Sequence, residues 1–327
     1  MRRRTLLHGG FAAVVAATTT GALVNCAATA DGAGARSAMT LIAPAATGGG
    51  WDGFARESQQ VLRGESIVNN VKVVNIPGAG GTIGLSQFVR TPGNPDTLLV
   101  TGGVMVGAIA LGDGAATFED VVPVARLADD YAALVVPADS ELETLEDVMA
   151  VWKDDPRGTS VSGGSLGSID HLLSGRLTQV MGVDPKDLNY VAYSGGGEAL
   201  NSLLSHTTTL GVSGFNEVAD QVEGGTLRAL AISSPERLPG VEVPTFVEQG
   251  VDVSMSNWRG FVGAPGITDE VLQEFVEIIT EMRDSAAWQD AVERNSWTDN
   301  FMIGEEFTAF LREESAQAEQ IVKDLGL

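Results

Sequence analysis

Two glycine-rich turns within residues 41–84, each directly after a short apolar run, constrain this chain more than anything else in it. The first, residues 43–52, reads Ala-Pro-Ala-Ala-Thr-Gly-Gly-Gly-Trp-Asp. The second, residues 75–84, reads Asn-Ile-Pro-Gly-Ala-Gly-Gly-Thr-Ile-Gly. An apolar run, a glycine turn and a following amphipathic stretch predict a strand, a tight turn and a helix start. Glycine lets backbone approach a ligand closely, and the first turn of a helix offers unpaired N–H groups with partial positive charge. Two such ends side by side predict a site for a small anion held by backbone amides, with no need of Lys or Arg. The candidate contacts are Ala46, Gly48, Gly49, Trp51 and Asp52 in the first turn, and Gly78, Ala79, Gly80 and Gly81 in the second.

The rest of the chain repeats the pattern. Strands are predicted at 40–43, 71–76, 97–102, 121–127 and 132–136, with helices at 51–63 and 81–89. Pro137, acidic residues and Thr144 then mark a crossover into a second lobe, opening on a helix at 145–152. There a strand at 159–162 leads into a third glycine turn, 163–168, and a helix at 169–181. A strand at 188–193 leads into a fourth turn, 194–197, and a helix at 198–204. Strands at 209–213 and 227–233 complete the lobe, and residues 261–265 read as the return. Two long amphipathic helices, 269–284 and 305–325, are expected to cover the first lobe. Such alternation implies an α/β architecture with a largely parallel sheet and ligands outside the carboxyl ends of its strands. The expected division is residues 39–136 plus 259–327 against 137–258, with the four turns facing one another across a cleft. That adds Thr101, Ser165, Gly167, Ser168, Ser194, Gly195 and Gly196 as candidate contacts. Arg259, beside the return, is the best-placed cation for a distal carboxylate, or else a hinge salt bridge.

Residues 1–38 read as an export segment and tether. Three arginines precede Thr5-Leu6-Leu7, resembling a twin-arginine signal, and residues 11–24 form an apolar stretch too short for a confident membrane span. The single cysteine, Cys26, sits where a lipoprotein signal would be cut and lipidated; cleavage after residues 28–30 would instead release the protein. The chain past that point lacks cysteine and needs no disulfide. Forty-three acidic residues against 20 basic ones, a net charge of −23, argue against nucleic acid and anionic membrane as partners. Three histidines leave little material for a metal site, and no cofactor is expected. About 290 remaining residues suit two lobes rather than one simple core, and a monomer is expected.

Two sharper motifs compete with this reading. Residues 163–167 match G-x-S-x-G, the nucleophile elbow of hydrolases, which would make the protein an exported esterase using Ser165. His171, six residues on, suits bracing the turn better than acting as a base. Residues 78–84 follow a strand as a dinucleotide fingerprint would, but their spacing is G-x-G-x-x-x-G with no convincing ribose-binding acid after it. Asp52 either caps its helix and orients the 48–50 turn or receives a ligand amine.

Taken in order, these junctions resemble the extracytoplasmic receptors of tripartite tricarboxylate transporters, the Bug receptors. The resemblance rests on Ala43-Pro44 with 48–52, on 75–82, on Gly167-Ser168 with His171-Leu172, and on 193–197. It continues through 227–231 with 234–237, then 243–246 and Trp258-Arg259-Gly260. The segment 203–209 and the pair Ser165-Leu166 depart from the family pattern. The resemblance implies a type II periplasmic-binding-protein fold, two α/β lobes closing on a small carboxylate. It also implies delivery of that ligand to membrane transporter subunits; a ligand sensor on the same fold is the other binding role open to it.

Overall fold

The computed structural model describes residues 36–112, 115–193 and 196–327. The expected lipidation site Cys26 and the candidate contacts Ser194 and Gly195 lie outside them. The Arg36 guanidinium meets Asp96 at 2.8 Å and Glu274 at 3.0 Å and lies 5.1 Å from the Phe275 ring centroid. The last residues of the expected tether are therefore tied into the fold.

Strand and helix alternate as the pattern requires. The first units are β1 (Met39–Ala43), α1 (Gly50–Gly64), β2 (Val71–Asn75), α2 (Thr82–Phe88), β3 (Thr97–Gly102) and α3 (Gly103–Ala110). β1 lies between β2 and β3, parallel to both, so the two glycine turns emerge at the same sheet edge. α3 has no counterpart in the sequence reading. Its residues, Gly-Val-Met-Val-Gly-Ala-Ile-Ala, are apolar all round and show no helical period, as befits a helix enclosed by its neighbours.

The long strand β4 (Val122–Pro137) organises the middle of the chain. It replaces the two separate strands expected at 121–127 and 132–136. Then come α4 (Leu145–Asp154), β5 (Ser160–Gly163), α5 (Ile169–Met181), β6 (Asn189–Ala192), α6 (Gly196–Leu204), β7 (Leu210–Gly214), α7 (Phe215–Glu223) and β8 (Leu227–Ile232). Thr144 caps α4 through a reciprocal box with Asp147, one orphan donor satisfied from each side. The chain returns through β9 (Ser256–Gly263) and ends with α8 (Asp269–Asp284), α9 (Ala286–Arg294), β10 (Thr298–Ile303) and α10 (Gly304–Leu325).

β4 changes partners part-way along. Residues 122–131 pair antiparallel with β9, and 125–129 also with β10. From Ala132 onward β4 pairs instead with β7 and β8. The change of partners falls at Ala132, and Pro137 is the last residue of the strand. Each set has its own core. One gathers Phe54, Phe261, Trp288 and Trp297, with ring centroids 5.2–5.8 Å from Phe54. The other gathers Trp152, Leu173, Val212 and Phe246. The fold is a two-lobed type II periplasmic-binding-protein fold.

Helix α10 does more than cover the first lobe. Its residues Phe307, Leu311, Ile321 and Leu325 pack with Val106 of α3, Leu172 of α5 and Trp258 of β9 in one cluster. It therefore straddles both sets of strands, which its amphipathic period could not reveal.

Candidate ligand-binding site

The first two turns meet as expected. Ile76 donates its N–H to the Ala43 carbonyl at 2.9 Å, and Asn75 Nδ2 reaches the Ala45 carbonyl at 3.1 Å. Trp51 stands beneath the second turn: a Cβ added to Gly81 would lie 2.7 Å from its ring. Gly78, Ala79, Gly80 and Gly81 all take positive φ, at 125°, 47°, 55° and 93°. Only glycine adopts that region freely, so Ala79 marks a turn held in place by its surroundings. Gly78 and Ala79 are exposed, and the Gly81 N–H closes the turn on the Gly78 carbonyl at 3.0 Å. A side chain at Gly80, however, would first meet Ala108 of α3, at 2.5 Å. Its lack of a side chain is needed for packing before any ligand is considered.

Asp52 is committed to the first turn. Its carboxylate accepts from the Gly48 N–H at 2.8 Å, Arg56 Nε at 2.9 Å and Asn75 Nδ2 at 2.8 Å. Those bonds, Arg56 foremost, hold its pKa down at about 2. Ala46 closes the same turn by accepting the Gly49 N–H at 3.1 Å, and Gly49 caps α1 without a side chain. Thr101 is fully buried and points its hydroxyl at Met105 Sδ, 3.5 Å away.

In the second lobe Ser165 is exposed on the third turn, and Ser168 caps α5 by accepting the His171 N–H at 3.4 Å. His171 is buried against Tyr190, ring centroids 4.4 Å apart, and its Nδ1 accepts the Gly167 N–H at 3.1 Å. Burial lowers its pKa to about 4, so the ring is neutral with its proton on Nε2. It braces the turn and supplies no base to Ser165. His206 lies on an exposed turn beside Asp139, 3.5 Å away. The esterase reading therefore has no triad. The lobes touch here backbone to backbone: a Cβ on Gly107 of α3 would lie 1.9 Å from the Gly167 carbonyl oxygen.

Arg259 is 6% exposed and paired with Asp130, Nη2 to Oδ2 at 3.0 Å. Its guanidinium also lies at the start of α1, where a Cβ on Gly50 would be 3.1 Å from Nη2, and 5.4 Å from the Trp297 ring centroid. Nη1 is buried with no hydrogen-bond acceptor. The salt bridge open from the sequence is formed, with Asp130 as its partner.

Three acids escaped the sequence reading. Asp130 faces Arg259, with its other oxygen accepting from the Tyr131 N–H at 2.9 Å. Asp170 accepts the Gly164 N–H at 2.8 Å. Glu217 accepts from Ser213 Oγ at 3.1 Å and abuts the start of α6, where a Cβ on Gly196 would be 2.0 Å from Oε2. The one available signal was Asp129-Asp130 inside a largely apolar strand, since buried acids need partners. Burial pushes all three up, and Asp170 reaches about 7 with help from the charges of Glu217 and Asp130. Asp170 is half-buried and Glu217 is exposed. Among the described residues no cluster suits a metal ion, and no helix is long and apolar enough to cross a membrane.

Known proteins resemble this chain over most of its length. The sequence profile described as "Tripartite tricarboxylate transporter family receptor" matches residues 54–327. Protein BugT of Bordetella pertussis is 27% identical over 294 residues, covering 88% of this chain and 89% of its own. A TctC solute-binding protein from Polaromonas superposes with a TM-score of 0.72 at 27% identity, covering 88% of this chain and 99% of that one. An R. palustris protein solved with adipate has the same fold, with a TM-score of 0.77 at 21% identity, 89% of this chain and 97% of that one.

Proposed function

This chain belongs to the tripartite tricarboxylate transporter receptor family, a family of solute receptors rather than enzymes, and on that basis we propose that it captures a small carboxylate outside the cytoplasm and delivers it to membrane transporter subunits. The observation that carries the reading is Arg259 Nη1, buried without an acceptor beside the uncapped start of α1. A buried guanidinium nitrogen left unsatisfied is costly, and a ligand carboxylate supplies the missing acceptor. The exposed backbone of Gly78 and Ala79 offers a second grip. Gly167 and the start of α6 bound the site from the other lobe, and we take Ser194 and Gly195, between β6 and α6, to belong to it. Adipate in the R. palustris protein is consistent with a carboxylate ligand.

The lobes are taken as residues 36–131 plus 256–327 and residues 132–255, following the change of partner along β4. Closure about that line is the signal presented to the transporter. Export through the N-terminal segment, with or without lipidation at Cys26, completes the proposal.

The test is calorimetric titration of the mature chain with C3–C6 carboxylic acids, in wild type and Arg259→Met. Loss of about tenfold or more in the variant, with circular dichroism unchanged, is expected from one charge-assisted bond. Unaltered affinity in folded Arg259→Met would show that the arginine is a hinge brace alone.

A further inference from the structure

We infer that a second small-molecule site, separate from the carboxylate cleft, lies behind the strands where β4 changes partners, and that it takes a short alkylamine, the ammonium group on Glu314 and the stem on Val106, Leu172 and Ile321. Successive residues of a strand point to opposite faces. Asp130 takes the face of Arg259 and the start of α1, whereas Asp129 and its strand partner Trp258 take the other. Asp129 lines a cavity of about 220 Å³ between α3, α5, β4 and α10; Asp130 and Arg259 do not. That is several times the share of one water in the liquid, about 30 Å³.

The ion pair on the cavity wall is closed. Arg126 Nε and Nη2 donate to Asp129 at 3.0 and 2.7 Å, and Nη1 faces the Met302 thioether at 3.7 Å. Phe310 covers the guanidinium, its ring centroid 4.1 Å away, and Asp129 also accepts from Asn300 Nδ2 at 2.9 Å. An entering anion therefore finds no free cation. Glu314 of α10, half-buried on the same wall, is in the opposite position. Among the described residues no cation pairs with it, since Arg126 is committed to Asp129. The buried Trp258 indole N–H beside it stays short of a hydrogen bond. Burial pushes the Glu314 carboxyl pKa up, as for an acid whose charge is not offset.

A carboxyl group left half-buried without a cation is costly, and an ammonium group supplies the missing partner. Val106, Leu172 and Ile321 form an apolar wall of the same cavity, which takes a stem of about four carbons out of water. An anionic end on the ligand has no partner here, which separates this ligand from the carboxylates of the cleft.

Fluorine NMR of the chain labelled with fluorotryptophan separates the two sites, because Trp258 stands beside Glu314 and Trp51 beneath the turn of the cleft. Butylammonium at pH 7 should move the Trp258 resonance saturably, with a Kd of about 1 mM, and leave Trp51 in place. 1-Butanol, the same stem without the charge, should bind about tenfold more weakly or worse. Glu314→Gln should bring the two within about twofold of each other. Ser254→Phe, a ring added at the exposed rim of the cavity, should weaken both. Butanol binding as tightly as butylammonium in the wild type would overturn the inference, as would a preference that survives in folded Glu314→Gln. A shift at Trp51 alone, or binding unchanged in Ser254→Phe, would place the amine elsewhere and refute the site. Failure to saturate would refute it too. None of these outcomes bears on carboxylate capture, so the receptor reading stands or falls separately.

Discussion

Replacing Asp52 by Asn tests how the first glycine turn is held. The side chain is buried, and its two oxygens accept from Gly48, Arg56 and Asn75. An amide keeps one acceptor and turns an NH2 toward donors that need an oxygen. Asp52 is depressed from 3.8 to about 2, which corresponds to about 2 kcal/mol of stability after allowing for the solvent screening of half-exposed Arg56. Because the folded pKa lies below the unfolded one, this stability is present above about pH 4 and lost as pH falls toward 2. Asp52→Asn should therefore cost about 2 kcal/mol at pH 7, lowering Tm by roughly 5 °C in a chain of this size. By pH 3 the gap to wild type should shrink to about half. Urea unfolding followed by circular dichroism at the two pH values gives both numbers. A gap under about 0.5 kcal/mol at pH 7, or one that is the same at pH 3, would mean that the charge of Asp52 does not organise the turn.

The other expectations rest on single contacts. In Gly107→Ala the new methyl would meet the Gly167 carbonyl oxygen 1.9 Å away, so α3 and the third turn must separate. The expected cost is about 1–3 kcal/mol, read as a fall in Tm or, where the lobes yield instead, as weaker ligand binding; a variant matching wild type in both would refute the contact. His171, lowered to about 4 from 6.5 by burial, binds its proton more readily when unfolded. Wild type should lose stability as pH falls from about 6.5 to 4. His171→Asn, which keeps an acceptor for the Gly167 N–H, should flatten that part of the curve, and an unchanged slope would assign it to another group.

The repeating unit and most of its boundaries were legible in the amino-acid sequence. Strand, glycine turn and helix rest on local physics: alternation, backbone freedom at glycine and helix periodicity. Helices α5 and α8 have the bounds expected of them, and the ordered turns sufficed to identify the receptor family. Where local pattern was silent, the reading missed elements. Helix α3 has no polar face, and the partly polar strand β10 comes after the short helix α9. That β4 serves both lobes and that α10 crosses them emerged from packing alone, because strand partners and helix neighbours are chosen by distant segments. Packing also set the charge of the site. Asp130 and Arg259 are far apart in the chain, and no local pattern announces that they will pair. Glycine turns show where backbone amides can be exposed, but folding decides whether a ligand or the protein's own carboxylates will occupy them.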